Sequence, residues 1–348
     1  MKKNRVFFID NIKIVAAFFV ILIHFRINLQ GKIPIESFTP KVSLFFAIIY
    51  ESFLICVPLF IISSGFLSIS YTYSKKLLSS ILNIITIYIL CSLSTYFILY
   101  FTKGVSFNVS EVVQKLMLFQ LNPYSWYVEM FLGLLLIIPL INKAIINSTK
   151  KELSRFIILL ILCIGLPTFI NAIPQFQNKI HFPNYWKAFY PITYYLIGSY
   201  FKLHTDFSKL SKNMLRLLIF TLFGSIFIGS MINYLNRTPF VGGFEGGYGS
   251  LLVTIQAVTA FALMAFYLDK PIIWQNKISN ATLSIYLLSY AVDQLIYPLF
   301  LNRLANPKYL IFFFPILPII IFIISIILAL IINKINSFLW IYIKKLHI

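Results

Sequence analysis

Apolar residues are gathered into ten runs along this chain, separated by short polar segments. Most runs are about as long as the roughly 20 residues that a helix needs to cross the hydrocarbon core of a bilayer. The pattern therefore predicts an all-α protein, a polytopic transmembrane helix bundle of about ten spans. The predicted spans are 6–26, 44–68, 77–101, 125–146, 154–171, 186–201, 214–234, 250–268, 279–300 and 309–332.

The composition agrees with this pattern. Hydrophobic residues make up 59% of the chain and charged residues 11%, a balance that excludes a soluble globular protein. Cys56, Cys91 and Cys163 all lie in apolar runs without metal-ligand spacing, so they are interpreted as packed side chains rather than as metal ligands or a disulfide framework. Since no polar tract is long enough for a second domain, the sequence predicts a single membrane-embedded domain over 1–348, without an appended soluble domain.

The formal net charge of +19 would suggest a nucleic-acid partner in a soluble protein. Here the positions of the charges matter more than their sum. With a cytoplasmic N-terminus, 18 lysines and arginines fall on the inner side of the membrane and 10 on the outer side. Because basic residues are retained on the cytoplasmic side, this asymmetry predicts that both termini are cytoplasmic, and it indicates topology rather than nucleic-acid binding.

The first span carries three ionisable residues, Asp10, Lys13 and His24. Such residues are costly inside a membrane helix, by about 2.5–3.5 kcal/mol or more for Asp or Lys near its centre, so they mark a candidate functional site. Lys13 and His24 are eleven residues apart. At about 100° per residue they share one stripe of the helix, roughly 16 Å apart along its axis. A plain signal anchor, with Lys13 reaching the headgroups, is the alternative interpretation.

Three acids lie inside later spans: Glu51 in the second, Glu129 in the fourth and Asp293 in the ninth. Like His24, each falls in the outer half of the membrane in the predicted topology. Four titratable groups at one level favour a polar cavity that is open to the outside, where acid and base chemistry could take place.

The inner level of the membrane is basic. Lys75 and Lys76 stand at the start of the third span, on the same side as Asp10 and Lys13. Lysines in this place are usually topology signals, but they also suit a phosphate-bearing ligand. The end of the second span, around Ser64, contains small residues that would allow close approach of either a neighbouring helix or a ligand.

Several short motifs follow one another along the chain: Phe8-Ile9-Asp10 with Lys13 and His24, Pro58-Leu59-Phe60 with Ser64-Gly65-Phe66, Lys75-Lys76, Trp126-Tyr127-Val128-Glu129, Tyr195-Leu196-Ile197-Gly198-Ser199-Tyr200 and Ser284-Ile285-Tyr286-Leu287. In order and placement they resemble the integral-membrane acyltransferases of family 3, over nearly the whole chain. Members of that family move acyl groups from cytoplasmic acyl-CoA to extracytoplasmic sugars. The resemblance therefore implies a membrane-bound O-acyltransferase in a cell membrane of the bacterial cytoplasmic type.

The resemblance also implies roles for individual residues. His24 would act as the general base, with Glu51 or Glu129 orienting its imidazole. Residues expected to bind the acyl-CoA are Asp10, Lys13, Ser64, Lys75 and Lys76. Residues expected to bind the acceptor are Trp126, Tyr127, Tyr286 and Asp293. No metal and no tightly bound cofactor is expected, because acyl-CoA, with acetyl-CoA as the default, is a co-substrate.

This chain departs from the family pattern in two places. Position 13 is often arginine in the family, and because lysine lacks the planar two-pronged contact of arginine, Lys13 is expected to act as a point charge. Many members have a histidine shortly after the Ile-Tyr-Leu element of the ninth span. Here Ser289 and Tyr290 stand there, so the role of these positions is left open.

The expected acceptor is a capsular polysaccharide, an exopolysaccharide or a lipid-linked glycan, and succinyl is the alternative to acetyl. A second hypothesis is a transporter or flippase for polysaccharide or lipid-linked sugar, because intramembrane histidines and carboxylates also form proton relays. A third is a structural membrane subunit whose polar residues only join helices. Oligomeric state, and the choice between direct transfer and a covalent acyl-enzyme, stay open.

The predicted orientation can be tested by cysteine labelling in intact cells. Cysteines introduced one at a time at Ser74 and Ser148 are expected to be shielded from an impermeant thiol reagent, because the charge asymmetry assigns them to the cytoplasm. Cysteines at Ser37 and Gly246 are expected to react. The unaltered protein, whose own cysteines lie in predicted spans, gives the background. The opposite labelling would reverse the orientation.

Overall fold

The structure is a computed structural model that describes residues 5–29, 39–106, 108–173, 184–236, 247–303 and 307–345. Within these ranges the chain forms helices and no strand. The helices are α1 (Phe7–Leu29), α2 (Pro40–Phe53), α3 (Cys56–Ser68), α4 (Lys75–Lys103), α5 (Val109–Met117), α6 (Trp126–Ile146), α7 (Lys150–Ala172), α8 (Asn184–Lys187), α9 (Tyr190–His204), α10 (Lys212–Leu235), α11 (Leu251–Tyr267), α12 (Gln275–Asn280), α13 (Thr282–Leu301) and α14 (Ile316–Lys345). The labelling positions Ser37 and Gly246 lie outside the described residues.

Each predicted span overlaps a helix. Among the described residues, eight helical segments are long and apolar enough to cross a membrane: Phe7–Leu29, Pro40–Ser68, Lys75–Lys103, Pro123–Ile146, Lys150–Ala172, Lys212–Leu235, Thr282–Leu301 and Ile316–Ile341. Helix α11 is apolar but shorter, and α9 has 15 residues. The predicted polytopic membrane helix bundle is therefore confirmed, and the chain is a multi-pass membrane protein. Its orientation stays a prediction.

Two predicted spans begin four or more residues earlier than their helices do. The tenth was predicted from residue 309, but Pro307–Phe313 forms a 3-10 helix and α14 starts at Ile316. The sixth was predicted from residue 186, but α9 starts at Tyr190, with a proline in its first turn. Proline favours the first turn of a helix because its ring fixes φ and its missing N–H is not needed there. A hydropathy pattern alone does not show that a helix starts at such a proline.

The helices form two compact units. The first comprises Met1–Ser70 with Leu140–Ile273, and the second comprises Tyr71–Pro139 with Trp274–Ile348. The division falls within α6, next to its internal proline. A proline inside a helix removes one backbone hydrogen bond, which is consistent with the division between the units at this point of α6. The single domain expected from the sequence stays a prediction.

In the first unit, α3 and α9 pack closely because each presents a glycine to the other. A side chain on Gly65 would lie 2.1 Å from the carbonyl oxygen of Tyr195, and one on Gly198 would lie 2.0 Å from that of Ile62. The Ser199 hydroxyl also donates to the carbonyl of Gly65 at 3.2 Å. Small residues let membrane helices approach backbone to backbone, so two of the sequence motifs form a helix contact.

In the second unit, α13 packs against α4 and α14. Polar side chains join these helices: Ser284 donates to the Asn333 side-chain oxygen at 2.6 Å, and Asn336 donates to that of Asn83 at 2.8 Å. Within an apolar bundle, such pairs satisfy groups that would otherwise lose their hydrogen bonds to water. They fix which faces of the three helices meet.

The glycine contact gives a stability prediction. Gly198→Ala is expected to lower the melting temperature in detergent micelles, because overpacking of this kind costs roughly 1–3 kcal/mol. Gly224→Ala is a matched control on α10, since no atom lies within 4 Å of the position that its Cβ would take. A Gly198→Ala protein as stable as the control variant would contradict the close approach of α3 and α9.

Candidate active site

The N-terminal end of α1 carries a charged cluster. Asp10 is buried in the first turn, where a carboxylate interacts favourably with the helix dipole. It pairs with the side chain of Arg5. Lys13 follows one turn later, half-buried, and interacts electrostatically with both of these residues. The structure therefore brings together the predicted Asp10 and Lys13 and adds Arg5 to them.

The same end of α1 is tied to the segment that follows α11. The side-chain amide of Asn11 donates to the backbone carbonyls of Leu268, at 2.6 Å, and Lys270, at 3.0 Å. The backbone N–H of Phe8 donates to Asp269 at 3.3 Å. Because the first N–H groups of a helix lack partners within the helix, the contact to Asp269 also caps α1.

His24 lies near the other end of α1 and is 7% exposed. Helix α1 is continuous from Phe7 to Leu29, so Lys13 and His24 share one stripe with an axial separation of roughly 16 Å. The backbone carbonyl of His24 accepts a hydrogen bond from the side chain of Asn28 at 3.0 Å. The structure thus places a buried imidazole three turns beyond a half-buried lysine on one continuous helix.

Glu51 lies on α2 and is completely buried. Its oxygens accept hydrogen bonds from two side-chain amides, Oε1 from Asn233 of α10 and Oε2 from Gln256 of α11 at 3.4 Å. Two residues after His24, Arg26 is also buried and interacts electrostatically with Glu51. The predicted carboxylate therefore belongs to a polar cluster that joins α1, α2, α10 and α11.

The remaining predicted donor-site residues lie on α3 and α4. Ser64 is half-buried, and its hydroxyl donates to the carbonyl of Phe60 one turn earlier, at 3.0 Å. Lys75 and Lys76 are exposed in the first turn of α4, and the Lys76 ammonium lies 5.8 Å from the centre of the Tyr71 ring. Ser64 belongs to the first unit and both lysines to the second.

The turn before α6 is anchored on α13. Asn122 is fully buried. Its amide donates to the carbonyl of Leu287 at 2.8 Å, and its side-chain oxygen accepts from the backbone N–H of Tyr124 at 2.9 Å. The Tyr124 hydroxyl in turn donates to the buried Asp293 at 2.7 Å. The sequence Asn122-Pro123-Tyr124 therefore places a tyrosine directly on an intramembrane carboxylate.

Tyr124 belongs to a group of four tyrosine rings that pack together. Tyr124 stacks on Tyr286 with ring centres 5.9 Å apart, and it meets Tyr290 edge to face at 5.0 Å. Tyr127 of α6 meets Tyr286 edge to face at 5.9 Å. The structure therefore brings together the predicted Tyr127, Tyr286 and Asp293. We call Tyr124, Tyr127, Tyr286, Tyr290 and Asp293 the tyrosine cluster.

Two predicted residues of α6 lie beside this cluster in the chain but are exposed. Trp126 meets the ring of Tyr127 edge to face, with centres 6.2 Å apart. Glu129 is exposed in the first turn of α6, where its charge interacts favourably with the helix dipole. Within the described ranges, no three His, Cys, Asp or Glu side chains are grouped as metal ligands would be.

The first unit thus combines a charged helix end with a buried histidine, and the second unit holds tyrosines around a buried carboxylate. The family model for the acyltransferase domain of family 3 matches residues 6–334. The chain belongs to acyltransferase family 3. The resemblance inferred from the motifs is confirmed, and the protein is a membrane acyltransferase. Searches of curated proteins and of solved structures gave no match to the chain.

Sequence reasoning assigned no role to four residues that the structure adds to the predicted site residues, namely Arg5, Arg26, Tyr124 and Tyr290. Arg26 was counted only as a charge on the outer side, although it ends the first predicted span, and a basic residue in a span was the available signal. Tyr124 and Tyr290 complete the tyrosine cluster. Tyr124 lies in the motif that precedes Trp126, but no local pattern shows that it reaches the ninth span.

The contact between Tyr124 and Asp293 can be tested by removing one hydroxyl. Tyr124→Phe is expected to lower the melting temperature of the acyltransferase, because a buried acceptor that loses its donor costs about 1–3 kcal/mol. Tyr309→Phe removes the same group from an exposed ring and is expected to leave stability unchanged. Equal melting temperatures for the two variants would show that Asp293 does not depend on Tyr124.

Proposed function

We propose that this acyltransferase transfers an acyl group, acetyl by default, from cytoplasmic acyl-CoA to a hydroxyl of a cell-surface polysaccharide or lipid-linked glycan outside the cytoplasmic membrane. The observation that carries the proposal is helix α1. It holds a half-buried lysine in a charged cluster at one end and a buried histidine about 16 Å away on the same stripe. Such a helix suits an acyl-CoA donor that enters at the lysine end and reacts near the histidine.

The reaction needs a base and a site for a transient negative charge. In the proposed step, His24 accepts the proton of the sugar hydroxyl while the hydroxyl oxygen forms a bond to the thioester carbonyl carbon. The tetrahedral intermediate carries its charge on the former carbonyl oxygen and collapses with cleavage of the C–S bond. The CoA sulfur leaves and takes the proton from the imidazolium. The products are a sugar ester and the CoA thiol.

Cationic groups support the donor side of the proposal. Lys13, Lys75 and Lys76 would interact with the phosphates of CoA, which lysine binds as a point charge. Asp10 holds Arg5 at the same end of α1 as Lys13. Ser64 would contribute a polar group from α3. A carboxylate that orients the imidazole would also stabilise the imidazolium, and the two candidates from the sequence are Glu51 and Glu129.

The tyrosine cluster supports the acceptor side. Aromatic rings offer flat apolar faces against which the C–H groups of a sugar can pack, and carboxylate oxygens accept hydrogen bonds from sugar hydroxyls. Tyr127, Tyr286 and Asp293 provide both kinds of group on two neighbouring elements. Trp126, exposed at the start of α6, adds a further ring. Their chemistry fits a glycan better than a purely apolar acceptor.

The role of His24 is tested with purified protein, acetyl-CoA and surface polysaccharide. His24→Ala and His24→Gln are each expected to lower kcat by about 10² to 10⁴, because neither side chain can accept the hydroxyl proton. Binding of acyl-CoA should stay close to normal, since Lys13 lies about 16 Å away along the helix. Mass spectrometry of the glycan, with and without the protein, identifies the acyl group transferred.

The matched control is His204→Gln, at the end of α9, which is expected to keep full turnover. A His24→Gln enzyme that retains more than about a tenth of wild-type kcat would contradict the base assignment, because even the low end of general-base catalysis is about a hundredfold. A wild-type protein that leaves every glycan unmodified with acetyl-CoA and succinyl-CoA would remove support for the proposed donor and acceptor.

A further inference from the structure

Helix α1 carries two further polar residues on the side opposite to Lys13 and His24. Asn11 precedes Lys13 by two residues, and Arg26 follows His24 by two. Two residues turn a helix by about 200°, and the positions of Asn11 and Arg26 differ by only about 60° around the axis. We call Lys13 and His24 the front stripe of α1, and Asn11 and Arg26 its back stripe.

The back stripe is held at the N-terminal end by Asn11. Its side chain is buried, and its amide donates to the carbonyls of Leu268 and Lys270 just after α11. Two hydrogen bonds from one amide to one stretch of backbone fix both the distance and the direction of that side chain. The N-terminal end of α1 therefore has a defined rotation relative to α11.

At the other end, the back stripe is held by Arg26. Its side chain is 1% exposed, and its guanidinium carbon lies 4.1 Å from the centre of the Tyr50 ring on α2. Arginine keeps its charge in proteins, so its burial in an apolar bundle requires an anion or strong acceptors nearby. The rigid, planar guanidinium over this ring is held in a more defined orientation than a flexible ammonium would be.

Glu51 interacts electrostatically with Arg26, and it is itself held in place. It follows Tyr50 directly in α2, is 0% exposed, and accepts hydrogen bonds from the amides of Asn233 and Gln256. A side chain at Gly229 of α10 would lie 2.4 Å from Glu51 Oε2. Helices α2, α10 and α11 therefore pack closely around this carboxylate.

We propose that Arg26, with Glu51 as its counter-ion, is a positioning residue for His24. The inference rests on the proposed function of His24 as the base. Anchoring Arg26 against α2 fixes the rotation of α1 about its axis and so sets the direction of the imidazole. A slip of α1 by one residue would rotate His24 by about 100°. In enzymes, misplacement by about 1 Å can cost about a hundredfold in rate.

The test separates positioning from stability by comparing Arg26→Met with the double variant Arg26→Met/Glu51→Met. The single variant leaves a buried carboxylate without its counter-ion and is expected to melt at a lower temperature. The double variant removes both charges and is expected to recover much of that loss, as apolar replacements of buried ion pairs often do. Arg216→Met, at an exposed position of α10, is the control for loss of an arginine.

Positioning predicts that the double variant stays slow even where its stability is recovered. Its kcat is expected to be about 10- to 100-fold below wild type, as for a misplaced catalytic group. The KM for acyl-CoA is expected to stay within about twofold, because front-stripe Lys13 is fixed separately through Asn11. The pH at which kcat falls in acid, where His24 takes up a proton, should be the same as in the wild type, since the base is unchanged.

A double variant with recovered stability and wild-type kcat would overturn the proposal and leave the cluster a purely structural role. A Glu51→Gln variant of wild-type stability that loses the acid-side fall of kcat would also overturn it, because Glu51 would then take part in proton transfer. If the double variant does not fold, Arg26→Lys decides. It keeps the charge but not the planar contact, so unchanged kcat contradicts positioning by the guanidinium. An inactive wild-type protein would instead count against the proposed function.

Discussion

A charged group that leaves water for the interior of a helix bundle must meet compensating groups there, and this constraint organises the first unit. Arg26 is buried beside Tyr50 and near Glu51, and the carboxylate is held by amides from two further helices. Where two buried groups of opposite charge compensate each other, removing only one of them strongly destabilises the fold, because the other stays buried without compensation. The same cluster therefore specifies how α1, α2, α10 and α11 meet and which way α1 faces.

Helix packing and chemistry use different residues of the same motifs. Gly65 and Gly198 serve the contact between α3 and α9, because only a missing side chain lets the two backbones approach so closely. The ionisable residues of α1 lie outside that contact. In the second unit, Asn122 fixes a turn so that Tyr124 reaches Asp293. A motif shared with a family can therefore carry structural and functional residues side by side.

Membership of acyltransferase family 3 establishes the class of reaction, and the structure offers groups for it in both units. The first unit provides an imidazole on a helix whose far end is charged, and the second provides rings around a carboxylate. General-base catalysis depends on geometry before it depends on acidity, so the orientation of His24 is as important as its presence. This is why a buried arginine on the back of α1 has a place in the proposed mechanism.

The sequence by itself determined the helices and the front stripe. In lipid, a backbone must satisfy its hydrogen bonds within a segment, so a long apolar run becomes a helix whatever its neighbours are, and regular helix geometry then places Lys13 and His24 on one side. The partners of Glu51 could not be predicted in this way. Asn233 and Gln256 are 182 and 205 residues away in the chain, and no local pattern links them to Glu51. Only the packing of three helices decides that these amides meet one carboxylate, because side-chain contacts between helices depend on their relative rotation and depth, which local hydropathy does not contain.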